Sequence, residues 1–338
     1  MDSRIDEGPV VGPGRAGTRG RSVTAIACKT AVTAFLLWYV LRIIPLPEVL
    51  EALSATVIGP LVVALLLQLL VRCASAWRLR DILHLHGIGL PVRAILEVIL
   101  VTNFYGLLLP GIVTGGAVMW YRVRRAAEQP ASGMAVLSAI AFNRLAEFVV
   151  LLGAGIALWV VDVGAAAGLA LGLQLALVFA GLSAIYLLLT TGIAAGLVGQ
   201  IARRVRVLST AVEALNRLPR WSPRAHGRIA AVSVVQVILG AAAFYLFAAA
   251  LSLPISLITA TWLRSLVVVL QTLPISIAGL GVREGTLVLL LGPYGVEPAD
   301  AVAFSLLLFS GTLFVGALGA LLEVRAALFR TGRRLGTQ

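Results

Sequence analysis

Leu109-Pro110-Gly111-Ile112-Val113-Thr114-Gly115-Gly116 and Leu273-Pro274-Ile275-Ser276-Ile277-Ala278-Gly279-Leu280-Gly281-Val282-Arg283-Glu284-Gly285 interrupt a chain that is otherwise strongly apolar. Each opens on Leu-Pro and places the first glycine of a close pair five residues after the proline. Proline removes a backbone donor and glycine weakens a helix, so both stretches free N–H and C=O groups that hydrocarbon cannot satisfy. Such backbone persists at membrane depth only where protein buries it or where it lines a cavity. Two of them predict an all-α, polytopic membrane bundle with a transport-type site, rather than a simple anchor.

The composition agrees. The 338 residues are 60% hydrophobic and 12% charged, with a mean hydropathy of +1.00. A soluble domain is about a quarter charged, so this is the balance of an integral membrane protein. The net charge of +12 has the size of a nucleic-acid signal, but 26 of the 27 basic residues are Arg and most lie between apolar spans. That is the positive-inside pattern, and no nucleic-acid partner is expected. Cys28 and Cys73 lie near cytoplasmic span ends, where buried thiols are expected rather than a disulfide. Residues 1–24 are polar, rich in Gly, Pro and Arg, and read as a disordered cytoplasmic tail.

About eight spans are expected over residues 25–324, with a re-entrant or broken-helix element among them. The first runs over 25–44 and the second over 53–71, returning to a basic loop with Arg72, Arg78, Arg80 and Arg93. Residues 94–121 are too short for two full spans and exit at Arg122, Arg124 and Arg125, on the side where they began. This predicts a re-entrant hairpin or two broken half-helices. Spans over 138–161 and to about 200 lead to a basic cytoplasmic loop, 200–228, which would suit anionic headgroups or simply set topology. Four more spans follow at 229–252, 255–273, 276–292 and 299–322, then a cytoplasmic tail, 325–338. Every Arg-rich connection falls on one side, so both termini of this multi-pass chain are expected in the cytoplasm, and the Arg-dominated, Ala/Leu/Val/Gly-rich composition suits a bacterial inner membrane. The two prolines, Pro110 and Pro274, lie 164 residues apart, about half the chain, and their elements enter from opposite sides. That arrangement fits an inverted repeat.

Several catalytic classes lack their residues. There is no Gly-x-Ser-x-Gly elbow and no Gly-Lys-Ser/Thr of a nucleotide loop. His84-Leu85-His86 has no third His or Cys nearby, so no metal and no cofactor is expected. The candidates are the charges inside apolar sequence: Arg144 and Glu147, spaced to share a helix face; Arg264, in mid-span; and Arg283 with Glu284, directly after the second glycine pair. Arg144–Glu147 would serve either a ligand or helix register. A helix starting after a Gly-rich break aims its free N–H groups at the break, and Arg matches phosphate oxygens, so a lipid phosphate is the natural ligand. Asn103, Pro110, Gly111, Gly115, Gly116 and Arg122 would form the first half of the site. Pro274, Gly279, Gly281, Arg283 and Glu284 would form the second, with Arg144, Glu147 and Arg264 between. Gly168, Gly172, Gly192, Gly196, Gly316 and Gly319 have the spacing of helix–helix contacts.

The patterns Asn-x5-Leu-Pro-Gly-x3-Gly-Gly-x5-Arg over Asn103–Arg122 and Leu-Pro-x4-Gly-Leu-Gly-x-Arg-Glu-Gly over Leu273–Gly285 carry a resemblance. The chain resembles the lysylphosphatidylglycerol synthase transmembrane, or flippase-like, family, which includes the membrane half of the multiple peptide resistance factor. Arg144-Leu145-x-Glu147 stands at the family's acidic-Arg-Leu element, with Asn143 where the acidic residue would be. The resemblance implies a protein that moves an anionic or aminoacylated phospholipid, or a glycan-carrying lipid, between leaflets. The family's lysyl transfer belongs to a separate cytosolic domain. The chain ends shortly after its last span, so that domain and aminoacyl transfer are not expected. A membrane-embedded transferase acting on polyprenyl-phosphate sugars, using Glu147 or Glu284 as base, and a non-transporting envelope scaffold are the alternatives. Partners would be a phospholipid or polyprenyl-linked lipid, and a further copy of the chain in a homo-oligomer.

Overall fold

The computed structural model describes residues 46–108, 112–127, 132–163, 169–193, 218–271 and 281–335. These residues form ten α-helices and no strand. They are α1 (Leu46–Ser54), α2 (Ile58–Leu85), α3 (Val92–Leu108), α4 (Ile112–Ala126), α5 (Gly133–Val163), α6 (Leu169–Thr191), α7 (Pro223–Ala250), α8 (Leu257–Gln271), α9 (Val282–Leu291) and α10 (Pro298–Leu335). The chain is thus an all-α bundle. Four helices, α2, α5, α7 and α10, are long and apolar enough to cross a membrane. The expected first span at 25–44 lies outside the described residues, as does the tail 1–24.

Two boundaries differ from expectation. Residues 72–85 do not form a loop; α2 continues through them to Leu85. No glycine or proline interrupts the sequence between Pro60 and Gly87, and the chain turns where Gly87 takes a φ of +74°. The end of the chain likewise stays helical to Leu335, past the expected stop at 322. The expected spans 255–273 and 276–292 are described in part. Their described parts are α8, of 15 residues, and α9, of 10, about 22 and 15 Å long at about 1.5 Å per residue, and residues 272–280 fall outside the described ones.

The 94–121 stretch forms two short helices, α3 and α4, that fold back on each other. Gly115 of α4 faces the Thr102 methyl of α3, so the residues flanking the break pair up in hairpin fashion. Helix α7 starts on a strong signal. Ser222 Oγ accepts the Ala225 N–H at 3.2 Å, and Pro223 occupies the first turn, where no donor is missed.

Packing divides the interior into two large apolar clusters. One joins Phe244, Phe247, Leu263, Trp262, Leu287, Leu291 and Phe304. The other joins Leu79, Ile82, Leu83, Ile95, Phe142, Trp221 and Ile229. On α5 and α7 the two clusters occupy opposite ends of the helix, leaving the middle for a polar layer. Helix α10 crosses α3 through the expected Gly316–Gly319 contact. A Cβ at 319 would strike the Leu100 carbonyl, and one at 316 would strike the Leu107 side chain. Gly319→Val is therefore expected to destabilise the protein by about 1–3 kcal/mol, the usual cost of overpacking. Thermal unfolding in detergent should show it as a lowered midpoint, while Ala317→Val, at an exposed position of the same helix, leaves the midpoint near wild type.

Candidate functional site

The polar layer is built on Glu147, at the middle of α5. Arg78 of α2 donates from Nη2 to Glu147 Oε2 at 3.1 Å, from Nε to Asn143 Oδ1 at 2.9 Å, and from Nη1 to Ser233 Oγ at 3.3 Å. Gln236, at the middle of α7, donates from Nε2 to Glu147 Oε1 at 3.0 Å. One carboxylate thereby ties three long helices together, and each nitrogen of the Arg78 guanidinium has an acceptor. The expected Arg144–Glu147 pair also forms, at 3.5 Å. Its two members differ: the Arg144 side chain is 60% exposed and that of Glu147 only 18%, so the layer opens to the outside of the bundle beside α5.

Arg264 sits at the middle of α8 and lines the same small cleft as Arg78, Glu147, Leu151, Ser233, Gln236 and Val237. Its Nη1 is buried without a hydrogen-bond partner. Its guanidinium lies over Gly240 of α7, where a Cβ would collide with it. A fourth arginine, Arg72 on α2, is within electrostatic reach of Glu147, and its Nε is also buried and unpartnered. The cleft thus holds one carboxylate against several guanidinium groups, with donors left over.

The second Leu-Pro element is arranged differently. Gly281 takes a φ of +81° and caps α9, and its N–H donates to Glu284 Oε2 at 2.6 Å. Arg283 donates to Glu284 Oε1 at 2.8 Å and to Ser305 Oγ of α10 at 2.5 Å, and Ser305 donates in turn to Glu284 Oε1. Arg283 is 4% exposed, Glu284 2% and Ser305 0%, and the guanidinium lies beside the Phe309 ring. This is a closed network that anchors the start of α9 to α10. The first element places Arg122 elsewhere again. Arg122 pairs with Glu323 of α10 at 2.6 Å and lies over the Tyr105 ring, and Asn103 donates to the Ile99 carbonyl of its own helix. Gly115 and Gly116 lie in α4; Pro110, Gly111, Pro274 and Gly279 fall outside the described residues.

Of the expected residues, Arg144, Glu147 and Arg264 come together, whereas no contact joins Arg122 or the Arg283–Glu284 pair to them among the described residues. Missed were Arg78, hidden in an apparent loop, and Ser233 and Gln236, whose i, i+3 spacing in an apolar helix marks one polar face. Gly240, four residues beyond Gln236, extends that face. Ser305 and Glu323 carried no sequence signal beyond their polarity.

A model of the lysylphosphatidylglycerol synthase TM region matches residues 26–319. The chain belongs to that family. No curated protein matches it. Within this family member, Asn143 fills the position of the expected acidic residue by accepting a hydrogen bond from Arg78.

Away from the spans, two groups titrate abnormally. Burial pushes the Tyr294 hydroxyl up to about 12, helped by its hydrogen bond to Asp162. Burial also holds His86 below the usual imidazole range, although its Nδ1 meets the Ile82 carbonyl. His84 is exposed and His86 packs toward Phe142, so the two do not converge, and no metal-ligating group of three occurs among the described residues.

Removing one partner of a buried ion pair strands the other. Arg78→Met is expected to cost about 3–5 kcal/mol, against less than about 1 kcal/mol for Arg144→Met, whose side chain is mostly exposed. Denaturation of the two variants in detergent checks this ordering.

Proposed function

We propose that this protein is a lipid translocator of the bacterial inner membrane, and that it holds an anionic headgroup in the cleft at the middle of α5, α7 and α8. Family membership supports a membrane-associated, lipid-related role. One observation carries the finer reading: Arg264 Nη1, buried and unpartnered at the middle of a membrane helix, in a cleft with a single carboxylate. An arginine kept at that depth costs at least about 2.5–3.5 kcal/mol on insertion scales, and an anion that visits the site offsets it. Arg144, exposed at the same level, gives such an anion a lateral path from the bilayer. In this reading Arg122–Glu323 and Arg283–Glu284 secure the short helices on either side. Arg283 reaches a phosphate only by leaving Glu284.

The transferase alternative needs a carboxylate free to act as base. Both oxygens of Glu147 and both of Glu284 already accept hydrogen bonds, so the geometry favours translocation.

The reading is tested in liposomes with labelled phospholipid in one leaflet. Wild-type protein should equilibrate the label faster than empty vesicles, and Arg264→Gln should slow it about tenfold or more while unfolding at the wild-type temperature. Equal rates for wild type, variant and empty vesicles would defeat the proposal.

A further inference from the structure

We propose that Asp162 and Glu323 are two gates at opposite ends of the bundle, each a carboxylate by which a long helix of one structural half holds the helical hairpin of the other half shut. These ties are separate from the polar layer and hold whatever the cleft binds.

The two halves are visible in the helix boundaries. Helices α2 and α7 start at Ile58 and Pro223, α3 and α8 at Val92 and Leu257, and α5 and α10 at Gly133 and Pro298, each pair 165 residues apart. The ends of α2 and α7, Leu85 and Ala250, keep that spacing. The halves face opposite ways. Val57 N–H, at the start of α2, donates to the Ala250 carbonyl at the end of α7 at 2.8 Å, and Arg78, toward the other end of α2, reaches Ser233 in the first half of α7. Equivalent helices therefore run antiparallel, which is the arrangement of an inverted repeat.

Each hairpin packs on the long helix of the other half. In the α3–α4 pair, α3 lies on α10, where a Cβ at Gly319 would strike the Leu100 carbonyl. Helices α8 and α9 also pack on each other, and α8 lies on α5, where a Cβ at Gly155 would strike the Ser265 side chain. Each long helix then carries a carboxylate on the same face as its glycine, Glu323 four residues after Gly319 and Asp162 seven after Gly155. Both arms of a hairpin meet that carboxylate. Arg122 of α4 donates to Glu323 Oε2 at 2.6 Å, and the Tyr105 hydroxyl of α3 lies 3.5 Å from Glu323 Oε1, its ring beneath the Arg122 guanidinium. Trp262 of α8 donates from Nε1 to Asp162 Oδ2 at 2.8 Å, and the Tyr294 hydroxyl, in the turn that follows α9, donates to the same oxygen at 2.7 Å.

The two clamps lie far apart. Tyr294 precedes α10, and Glu323 stands 25 residues along that helix from Pro298, about 38 Å at about 1.5 Å per residue. On the orientation expected from the arginines, Asp162 closes the outer side and Glu323 the cytoplasmic side. Both carboxylates are partly exposed, unlike the buried Arg283–Glu284–Ser305 network, so water can take over from their donors at small net cost. Release of one clamp loosens one hairpin at one side of the membrane, while the glycine contact keeps its first arm in place.

Two reporters read the gates in a chain whose Cys28 and Cys73 are replaced by serine. They are Thr102→Cys, facing Gly115 between α3 and α4, and Leu266→Cys, in the α5–α8 groove one turn from Trp262. Modification by a membrane-impermeant thiol reagent is timed in right-side-out and inverted vesicles. Asp162→Ala should speed labelling of the Leu266→Cys reporter about tenfold from the outer face and leave the Thr102→Cys reporter near its parent rate. Glu323→Ala should do the converse from the cytoplasmic face. Tyr294→Phe and Arg122→Met, which remove a donor and keep the carboxylate, should give the same two patterns more weakly, and they decide the matter if an alanine variant does not fold. Faster labelling of both reporters in every variant, or from one face only, would show general loosening and overturn the separate gates. Unchanged labelling of both reporters in the folded variants would show ties that do not gate, and would reject the proposal.

Discussion

A carboxylate at the middle of a membrane helix is tolerable only if it is neutralised and hydrogen-bonded, and Glu147 meets that condition through helices α2 and α7. The constraint propagates. Arg78 must be buried to reach Glu147, so α2 has to continue to Leu85 and pack along α7. Asn143 and Ser233 must take the remaining Arg78 donors. With those demands met, the polar layer lies between two apolar clusters, which fixes the relative height of α2, α5 and α7.

Arg264 is the element this network leaves unsatisfied. It arrives on α8, a short helix flanking the second Leu-Pro element, and it needs the bare surface of Gly240 to lie against α7. Glu147 is already committed to Arg78 and Gln236, so Arg264 stays near a counter-charge without being bonded to it. In the proposed reading, structural and ligand-binding charges are thus separated within one layer. Arg283–Glu284–Ser305 and Arg122–Glu323 are of the structural kind, since both join short helices to α10.

The all-α membrane class was legible from composition, and the shortness of residues 94–121 announced the α3–α4 pair. Arg144 and Glu147 were found by spacing, because i, i+3 geometry belongs to a single helix. Arg78 was not, because an arginine following an apolar run reads as a span terminus, and its burial depends on Glu147 and Asn143, 65 or more residues away in sequence. The weight placed on Arg283–Glu284 came from their position after a glycine pair. Whether such a pair is open or closed is decided by Ser305, on a helix that local sequence does not connect to it.

The central claim is that the middle of the bundle, beside Arg264, holds a lipid phosphate. An electron cryomicroscopy structure in nanodiscs containing phosphatidylglycerol measures this directly. The account predicts headgroup density within hydrogen-bonding distance of Arg264 Nη1, between α5, α7 and α8, with Arg78 still on Glu147. Lipid headgroups confined to the two membrane surfaces, with Arg264 turned onto Glu147 and the cleft closed, would contradict it.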